Sequence, residues 1–454
     1  MPGISLSKQA SFHFNLDFMQ NKSVDQQYDY WRNRILYALL IGYASFYLVR
    51  QNFSLAMPSM LDEFQLTKTQ IGWVLTAFSI CYGISKFAAG CLCDRSNSRY
   101  FMVIGIIGAA VLNIAIGFSA SIWTIGIFYV FNAWFQAMGW PPCTRSLTQW
   151  FGPKELGTKW GICNASREIG AISILLLAPW LIQSFEWRTA FYVPGFLCFG
   201  LAAYVFWRMR DTPVSLGLPS IEEKEDLPRE MHNEGEGERP SFKEIFMTHI
   251  LPNKPLWYVC FANFFIYVIR MGFFNWAPTF LKETKGINLT GAGLQMVSFE
   301  LMGLIGGILA GWFSDKLFNG RRSAVSAIYM AVLALCILMF WLSPGTIPGL
   351  GFILLSLMGF LLYGPQVLVG VAAAEFGTRK AAASAAGLTG VFGYMGGACS
   401  GVGVGFLADT WGWNAPIIFF LGSAICGTFL LALNWNRTQA KQPVLKEQTA
   451  ETPA

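Results

Sequence analysis

The chain has 454 residues, 54% of them hydrophobic and only 13% charged, with 46 glycines and a net charge of +6. Long apolar runs recur from end to end, which excludes a soluble globular core and describes an all-α polytopic membrane protein whose obligate partner is a lipid bilayer. The positive charge points to no nucleic acid, because the basic residues gather at the ends of the apolar runs, where membrane orientation uses them.

Residues 1–34 form a polar segment without the basic start, short apolar core and small-residue cleavage site of a signal peptide, so the first span is itself the expected insertion signal. Twelve spans are predicted, at 35–60, 70–92, 100–118, 121–148, 158–183, 189–208, 256–281, 291–314, 323–343, 348–374, 382–407 and 414–435, each long enough to cross about 30 Å of hydrocarbon. They divide into two halves of six, 35–208 and 256–435. Between them, 209–255 is polar, acidic and rich in Pro and Gly; it cannot bury enough apolar surface to fold alone and reads as a linker. Residues 436–454 form a polar tail. The loops after spans two, four, eight and ten carry Arg95, Arg99, Lys154, Lys159, Lys316, Arg321, Arg322, Arg379 and Lys380, against Lys68, Arg188, Lys282 and Lys285 on the other side. That bias puts both termini and the linker in the cytoplasm.

Ten cysteines, among them Cys81, Cys91, Cys163, Cys198 and Cys399, lie mostly inside apolar runs and act as small hydrophobes, with no disulfide framework and no metal spacing. No cofactor and no metal site is expected. A glycine-rich nucleotide loop is missing, as is any set of nucleophile, acid and base, so the chain is not read as an enzyme.

Two residues stand out against this apolar background. YLVRQNF puts Arg50 deep in the first span and YVIRMGF puts Arg270 deep in the seventh; a central arginine costs about 2.5–3.5 kcal/mol on insertion scales, which makes it a functional candidate by default. The halves repeat around these two residues. From Arg50 to Asp94, which ends GCLCD, is 44 residues, and from Arg270 to Asp315, which ends GWFSD, is 45. Both acids continue into basic clusters, FGPKELGTKWG at 151 returns weakly as FGTRKAAASAAG at 376, and FEWRTAF is echoed by TWGWNAP.

Parallel six-span halves, each with G-x-x-x-D and a basic cluster after its second span, resemble the major facilitator superfamily. The resemblance implies the major facilitator fold, twelve transmembrane helices in two six-helix halves. It also implies that Asp94, Arg95, Asp315 and Lys316 latch the cytoplasmic ends of the halves, with Arg145 near the end of span four as an anchor or gate residue. YLVRQNFSLAMP, YGISKF, WFQAMGWPPCTR, IFMTHILPNKPLWY, NWAPTFLKE and AAGLTGVFGYMGG are similar to the organophosphate:phosphate antiporters, the bacterial glycerol-3-phosphate and hexose-6-phosphate carriers, over residues 30 to 435. In that family Arg50 and Arg270 are expected to grip phosphate. A pseudo-two-fold axis sets equivalent positions of spans one and seven opposite each other at the midplane, and the arginine fork matches phosphate oxygens. Lys86 is expected to assist, and Tyr43, Tyr47, Tyr82, Gln136, Trp140, Asn164, Tyr267, Tyr363 and Tyr394 to line the cavity.

Span five departs from the pattern. Where the antiporters commonly carry a histidine three residues after an asparagine, this chain has NASREIG, with Arg167 in that place and Glu168 next to it. Adjacent helical residues point about 100° apart, so Arg167 is expected either to add a third cation to the cavity or, with Glu168, to find partners on neighbouring helices. The expected function is import of an organic phosphate, hexose 6-phosphate and in particular glucose 6-phosphate, in exchange for inorganic phosphate, by a monomer in a bacterial inner membrane. The alternatives are a glycerol-3-phosphate antiporter, a transporter-like hexose-phosphate sensor, a proton-coupled facilitator titrating Glu168 or Glu300, and a carrier of a eukaryotic organelle.

Overall fold

A computed structural model describes residues 23–225, 246–343, 349–377 and 382–437. The ends of the chain, residues 226–245 of the predicted linker, and Arg379 and Lys380 of the basic clusters lie outside the described residues. Among the described residues the regular structure is helical, and its boundaries follow capping chemistry. α1 (Val24–Leu48) starts on Ser23, whose hydroxyl accepts from Gln26 N, and α2 (Asn52–Phe64) follows after one turn. α3 (Lys68–Asp94) starts on a capping box of Thr67 and Gln70, and α4 (Ser98–Gly117) on the Asn97 side chain. α5 (Ile122–Gln136) and α6 (Trp140–Trp150) precede α7 (Pro153–Ser184), with proline in its first turn, and α8 (Thr189–Arg208). The short α9 (Ile221–Lys224) leads to α10 (Lys254–Lys285), α11 (Leu289–Lys316), α12 (Arg322–Leu342), α13 (Leu350–Phe376), α14 (Ala382–Trp411) and α15 (Asn414–Ala432).

Ten of these helices are long and apolar enough to cross a membrane without a break. Predicted spans one and four differ from expectation, because each is built from two helices. In span four the cause is local: Pro141 and Pro142 have no N–H for the carbonyls of Ala137 and Met138, and the chain turns at Ala137–Gly139. Span one contains no breaker at the interruption. There the Tyr47 carbonyl accepts long bonds, 3.4 Å each, from both Arg50 N and Gln51 N. The Val49 carbonyl, released from the helical ladder, accepts instead from Asn132 Nδ2 at 3.3 Å and Gln136 Nε2 at 3.4 Å on α5. Irregular backbone at membrane depth survives where protein satisfies it, and α5 does that here. Asn52, first in α2, donates to Asn113 Oδ1 and to the Ala190 carbonyl, tying the half-helix to α4 and α8.

The repeat read in the sequence has a packing counterpart. Gly170 of α7 rests on the Ala44 carbonyl of α1, and Gly396 of α14 rests on the Phe264 carbonyl of α10. The first and fifth spans of each half therefore meet through a glycine against backbone, the close approach that membrane helices use in place of bulky packing. All ten cysteines are unpaired.

The start of the linker is docked rather than free. Tyr28 donates its hydroxyl to the Pro219 carbonyl and packs edge-on against Trp150, and burial pushes its phenol up to about 12, so it stays a neutral donor. Lys224 pairs with Asp25 at 3.1 Å and Glu225 with Arg32 at 3.4 Å. We call this end of the bundle, where Asp94, Trp150, Arg208 and Lys316 lie, the linker face.

At the far face the two halves are joined. Asp409 at the end of α14 accepts from Lys68 N at 3.1 Å and Thr69 N at 2.7 Å, so a carboxylate of one half caps the N-terminus of a helix in the other. Around it, Lys282 pairs with Asp62 at 2.6 Å and Lys68 with Glu283 at 3.1 Å, and Thr290 donates to Gln183. Deeper in, Thr76 donates to the Ala398 carbonyl and accepts from Val402 N, where Gly72 and Gly401 let α3 and α14 touch backbone to backbone. A Cβ on Gly72 would stand 2.7 Å from the Gly401 carbonyl oxygen. The substitution Gly72→Val is therefore expected to hold the far face apart. A cysteine placed at Ser54 should then react with a membrane-impermeant maleimide from that side several-fold faster than in the parent, and an unchanged labelling rate would count against this closure.

Candidate functional site

Between the halves lies a cavity of about 210 Å³ lined by Tyr43, Tyr47, Arg50, Tyr82, Lys86, Trp140, Asn164, Arg167, Tyr267, Arg270 and Tyr394 among others. These eleven were all expected from the sequence. Closed at the far face, it communicates toward the linker face past the exposed Lys86.

The two arginines are held differently. Arg50 lies in the turn between α1 and α2, with its guanidinium over the Tyr82 ring at 4.4 Å and near Phe78 at 5.5 Å and Tyr47 at 5.8 Å. Aromatic faces attract the cation without neutralising it. Arg270 sits within the unbroken α10, over the Tyr363 ring at 4.8 Å, and its Nη2 donates to the Tyr363 hydroxyl at 2.8 Å. Tyr363 donates in turn to Glu300, so the carboxylate acts on Arg270 through a phenol rather than in direct contact. Arg270 Nε is buried with no partner. Among the described residues neither arginine, nor Lys86, forms an ion pair with a carboxylate. Lys86 donates to the Tyr394 hydroxyl at 3.4 Å, and the Tyr394 ring stands against Tyr82 and Tyr267, which links α3 of one half to α14 and α10 of the other. Tyr43 packs on Tyr47 and Trp140, making one aromatic wall.

Three expectations are corrected. Gln136 is buried and its amide donates to the Val49 carbonyl, so it serves the helix break and does not line the cavity. Tyr363 stands behind Arg270 as its support and is not among the lining residues. Arg167 and Glu168 pair with each other: Arg167 Nε donates to Glu168 Oε1 at 2.8 Å, and Nη2 reaches the same oxygen. The 100° between neighbouring Cβ positions is bridged because the long arginine side chain folds back along the helix. Glu168, 4% exposed, lies near Glu300, 1% exposed, of the other half, and Glu300 Oε1 is buried without a hydrogen-bond partner. Arg167 therefore enters the cavity as half of an ion pair and not as a free third cation.

Among the described residues, those expected to latch the linker face make no ion pair with the opposite half. Arg145 donates to the Cys93 carbonyl at 2.8 Å and pairs with Asp211 at 3.6 Å, while Asp315 pairs with Arg322, which also reaches Glu375. Asp94, Arg95 and Lys316 are exposed.

Sequence reasoning missed Gln51, Ser54, Ser79, Asn275 and Gln366, all in the cavity wall. Gln366 and Asn275 carried a usable signal, an uncharged polar residue alone in an apolar run.

Residues 39–401 match the sequence profile described as Major Facilitator Superfamily. A probable hexose phosphate transport protein of Chlamydia pneumoniae is 40% identical, covering 92% of this chain and 94% of the relative. The glycerol-3-phosphate transporter of Bacillus subtilis strain 168 is 39% identical, covering 93% and 96%. Among solved structures, a bacterial homologue of the human lysosomal transporter Spinster superposes with a TM-score of 0.72 at 15% identity, covering 89% of this chain and 96% of that one, which supports the fold.

The Arg167–Glu168 arrangement makes a prediction. Removing one member of a buried pair leaves the other charge unmatched, at a cost of about 3–5 kcal/mol, whereas removing both charges costs far less. Arg167→Ala is expected to lower the melting temperature in detergent clearly, and the double variant Arg167→Ala/Glu168→Gln to recover most of the loss. Equal losses in both would refute the pairing.

With the profile matched over most of the chain and full-length relatives at this identity, the chain belongs to the organophosphate:phosphate antiporter family of the Major Facilitator Superfamily.

Proposed function

We propose that the protein imports a hexose 6-phosphate in exchange for inorganic phosphate by alternating access, with Arg50 and Arg270 gripping the phosphoryl group from the two halves. The observation that carries this reading is a pair of half-buried guanidinium groups on one cavity, neither paired with a carboxylate. A tetrahedral dianion offers oxygens to both forks at once, and the unfilled Nε of Arg270 is one donor such a ligand can use. Lys86 lies toward the open face and draws the anion inward, while Tyr47, Tyr82, Tyr267 and Tyr394 supply hydroxyls and ring faces. The hexose phosphate transport protein and the glycerol-3-phosphate transporter among the relatives support the substrate class. The lysine and arginine bias of the loops supports cytoplasmic termini in a bacterial inner membrane, and a monomer is sufficient, since one chain supplies the whole cavity wall.

Exchange is obligatory in this mechanism. Closing the cavity empty brings like charges together out of water, where their repulsion rises well above its aqueous value. A bound phosphate dianion neutralises them and gives the two halves a shared ligand, so it selectively stabilises the closed intermediate through which the halves rock. The two gradients alone set direction. In proteoliposomes, uptake of labelled glucose 6-phosphate is expected to be fast with phosphate inside, near background without it, and insensitive to a proton uncoupler. Rapid uptake into phosphate-free vesicles under an imposed pH gradient overturns the antiport; binding without flux in either direction makes the protein a receptor.

Arg50→Lys and Arg270→Lys keep the charge but lose the fork. Each is expected to reduce phosphate exchange at least tenfold while the protein remains inserted, as measured by exchange rate per reconstituted molecule. Full exchange by either variant reduces that arginine to a structural cation.

A further inference from the structure

The cavity holds two glutamines whose side-chain oxygens neither the fold nor the phosphate site uses. Gln51 follows Arg50 directly in the turn that interrupts the first span, and it is the N-cap residue of α2, yet its side chain makes no capping bond. Its Oε1 is buried without a partner. Gln366 lies three residues after Tyr363 on α13, so it shares the face of the tyrosine that holds Arg270. Its Oε1 is likewise buried without a partner. Both residues line the same cavity as the two arginines, one from each half.

Buried amide groups in native proteins are almost always hydrogen-bonded, so an unfilled one facing a cavity calls for a ligand. Of the other buried polar atoms on this wall, Arg270 Nε is a donor and Glu300 Oε1 a further acceptor, both unfilled. Tyr363 is committed to Arg270 and to Glu300 Oε2, and Glu168 to Arg167. The arginines take acceptors, and the glutamine oxygens take donors. A phosphate dianion has almost no hydrogen to offer, whereas a polyhydroxy chain or ring attached to it offers several. An amide turned end for end presents its NH2 at the same point, which a hydroxyl satisfies as an acceptor.

We infer that Gln51 and Gln366 form a hydroxyl-reading subsite beside the phosphate site, and that its ligand is the polyol part of a sugar phosphate. This inference rests on the phosphate-carrier reading above and deepens it. Because the two amides come from opposite halves, a substrate with hydroxyls far enough from its phosphate engages both, and a shorter ester such as glycerol 3-phosphate engages one. A site built to hydrogen-bond a hydroxyl strongly rejects a ligand that leaves it unfilled, so the pair sets the preference for hexose ester over three-carbon ester.

The experiment is displacement of labelled inorganic phosphate from the purified full-length protein in detergent by unlabelled phosphate, glucose 6-phosphate and glycerol 3-phosphate. It compares the parent with Gln51→Leu, Gln366→Leu and the shorter amides Gln51→Asn and Gln366→Asn, the melting temperature being followed for each. Each leucine variant is expected to raise the glucose 6-phosphate concentration for half displacement at least tenfold relative to that of phosphate. The same ratio for glycerol 3-phosphate is expected to move less than half as far on a logarithmic scale. The asparagine variants withdraw the amide by one methylene and are expected to lose hexose preference in the same direction, which keeps the test decisive if a leucine variant does not fold. Unaltered ratios in folded variants overturn the subsite while leaving the carrier intact. A parent protein that binds no phosphate overturns the carrier reading itself, and the subsite with it.

Discussion

An arginine inside a membrane-spanning bundle without a carboxylate beside it constrains everything around it. The charge has to be solvated by something, and in this protein each half does so differently. Arg50 is surrounded by aromatic faces and sits where the backbone of its own span has come apart; Arg270 is held by a phenol that is itself held by a buried glutamate. Both arrangements leave guanidinium donors directed at the cavity. An ion pair would have been cheaper to maintain, but it would have satisfied the cation internally and left nothing for an incoming anion.

The break in the first span follows from the same constraint. Opening the helix at Val49–Gln51 releases a carbonyl at membrane depth, and Asn132 and Gln136 are occupied in satisfying it. In return the turn carries Arg50 and Gln51 into the cavity and leaves the N-terminal end of a half-helix beside them, the positive end of its dipole. The seventh span, its counterpart in the repeat, stays continuous. The halves are thus related by sequence and packing yet unequal at the site, which suits a ligand that is itself unsymmetrical, a phosphate at one end and a sugar at the other.

Charge is also distributed so that the two faces behave differently. The far face is closed by direct cross-half contacts: a carboxylate on a helix N-terminus, two lysine–carboxylate pairs and a glycine-lined crossing of α3 and α14. Exposed ion pairs contribute little singly, so the closure depends on backbone contact with the charged groups as a rim. On the linker face Arg145 is satisfied by Asp211 at the start of the linker, and Asp315, Arg322 and Glu375 within their own half. Between the faces, Glu168 and Glu300 lie near each other from opposite halves, Glu168 paired with Arg167 and Glu300 with Tyr363.

Much of this was legible in the chain alone. Hydropathy gave the spans to within a few residues, because a helix in lipid must be apolar along its length and polar only at its ends; the predicted 189–208 and the observed Thr189–Arg208 coincide. The recurrence of arginine, aspartate and basic cluster at matched spacing gave the two halves, and the cost of a central cation singled out Arg50 and Arg270. What hydropathy does not register is a change of backbone path within an apolar run, so the interruption at Arg50 came only from the structure, and with it the use of Gln136 to satisfy Val49. Side-chain reach is equally invisible to helical phase: neighbouring positions 100° apart pointed Arg167 and Glu168 away from each other, whereas a flexible arginine stem brought them together. Whether Tyr363 faces a ligand or supports an arginine, and whether Gln366 is packing or cavity wall, depends on which helix lies opposite. A sequence read one span at a time determines what each helix can bury; only the packing of all of them decides which polar groups are left unfilled.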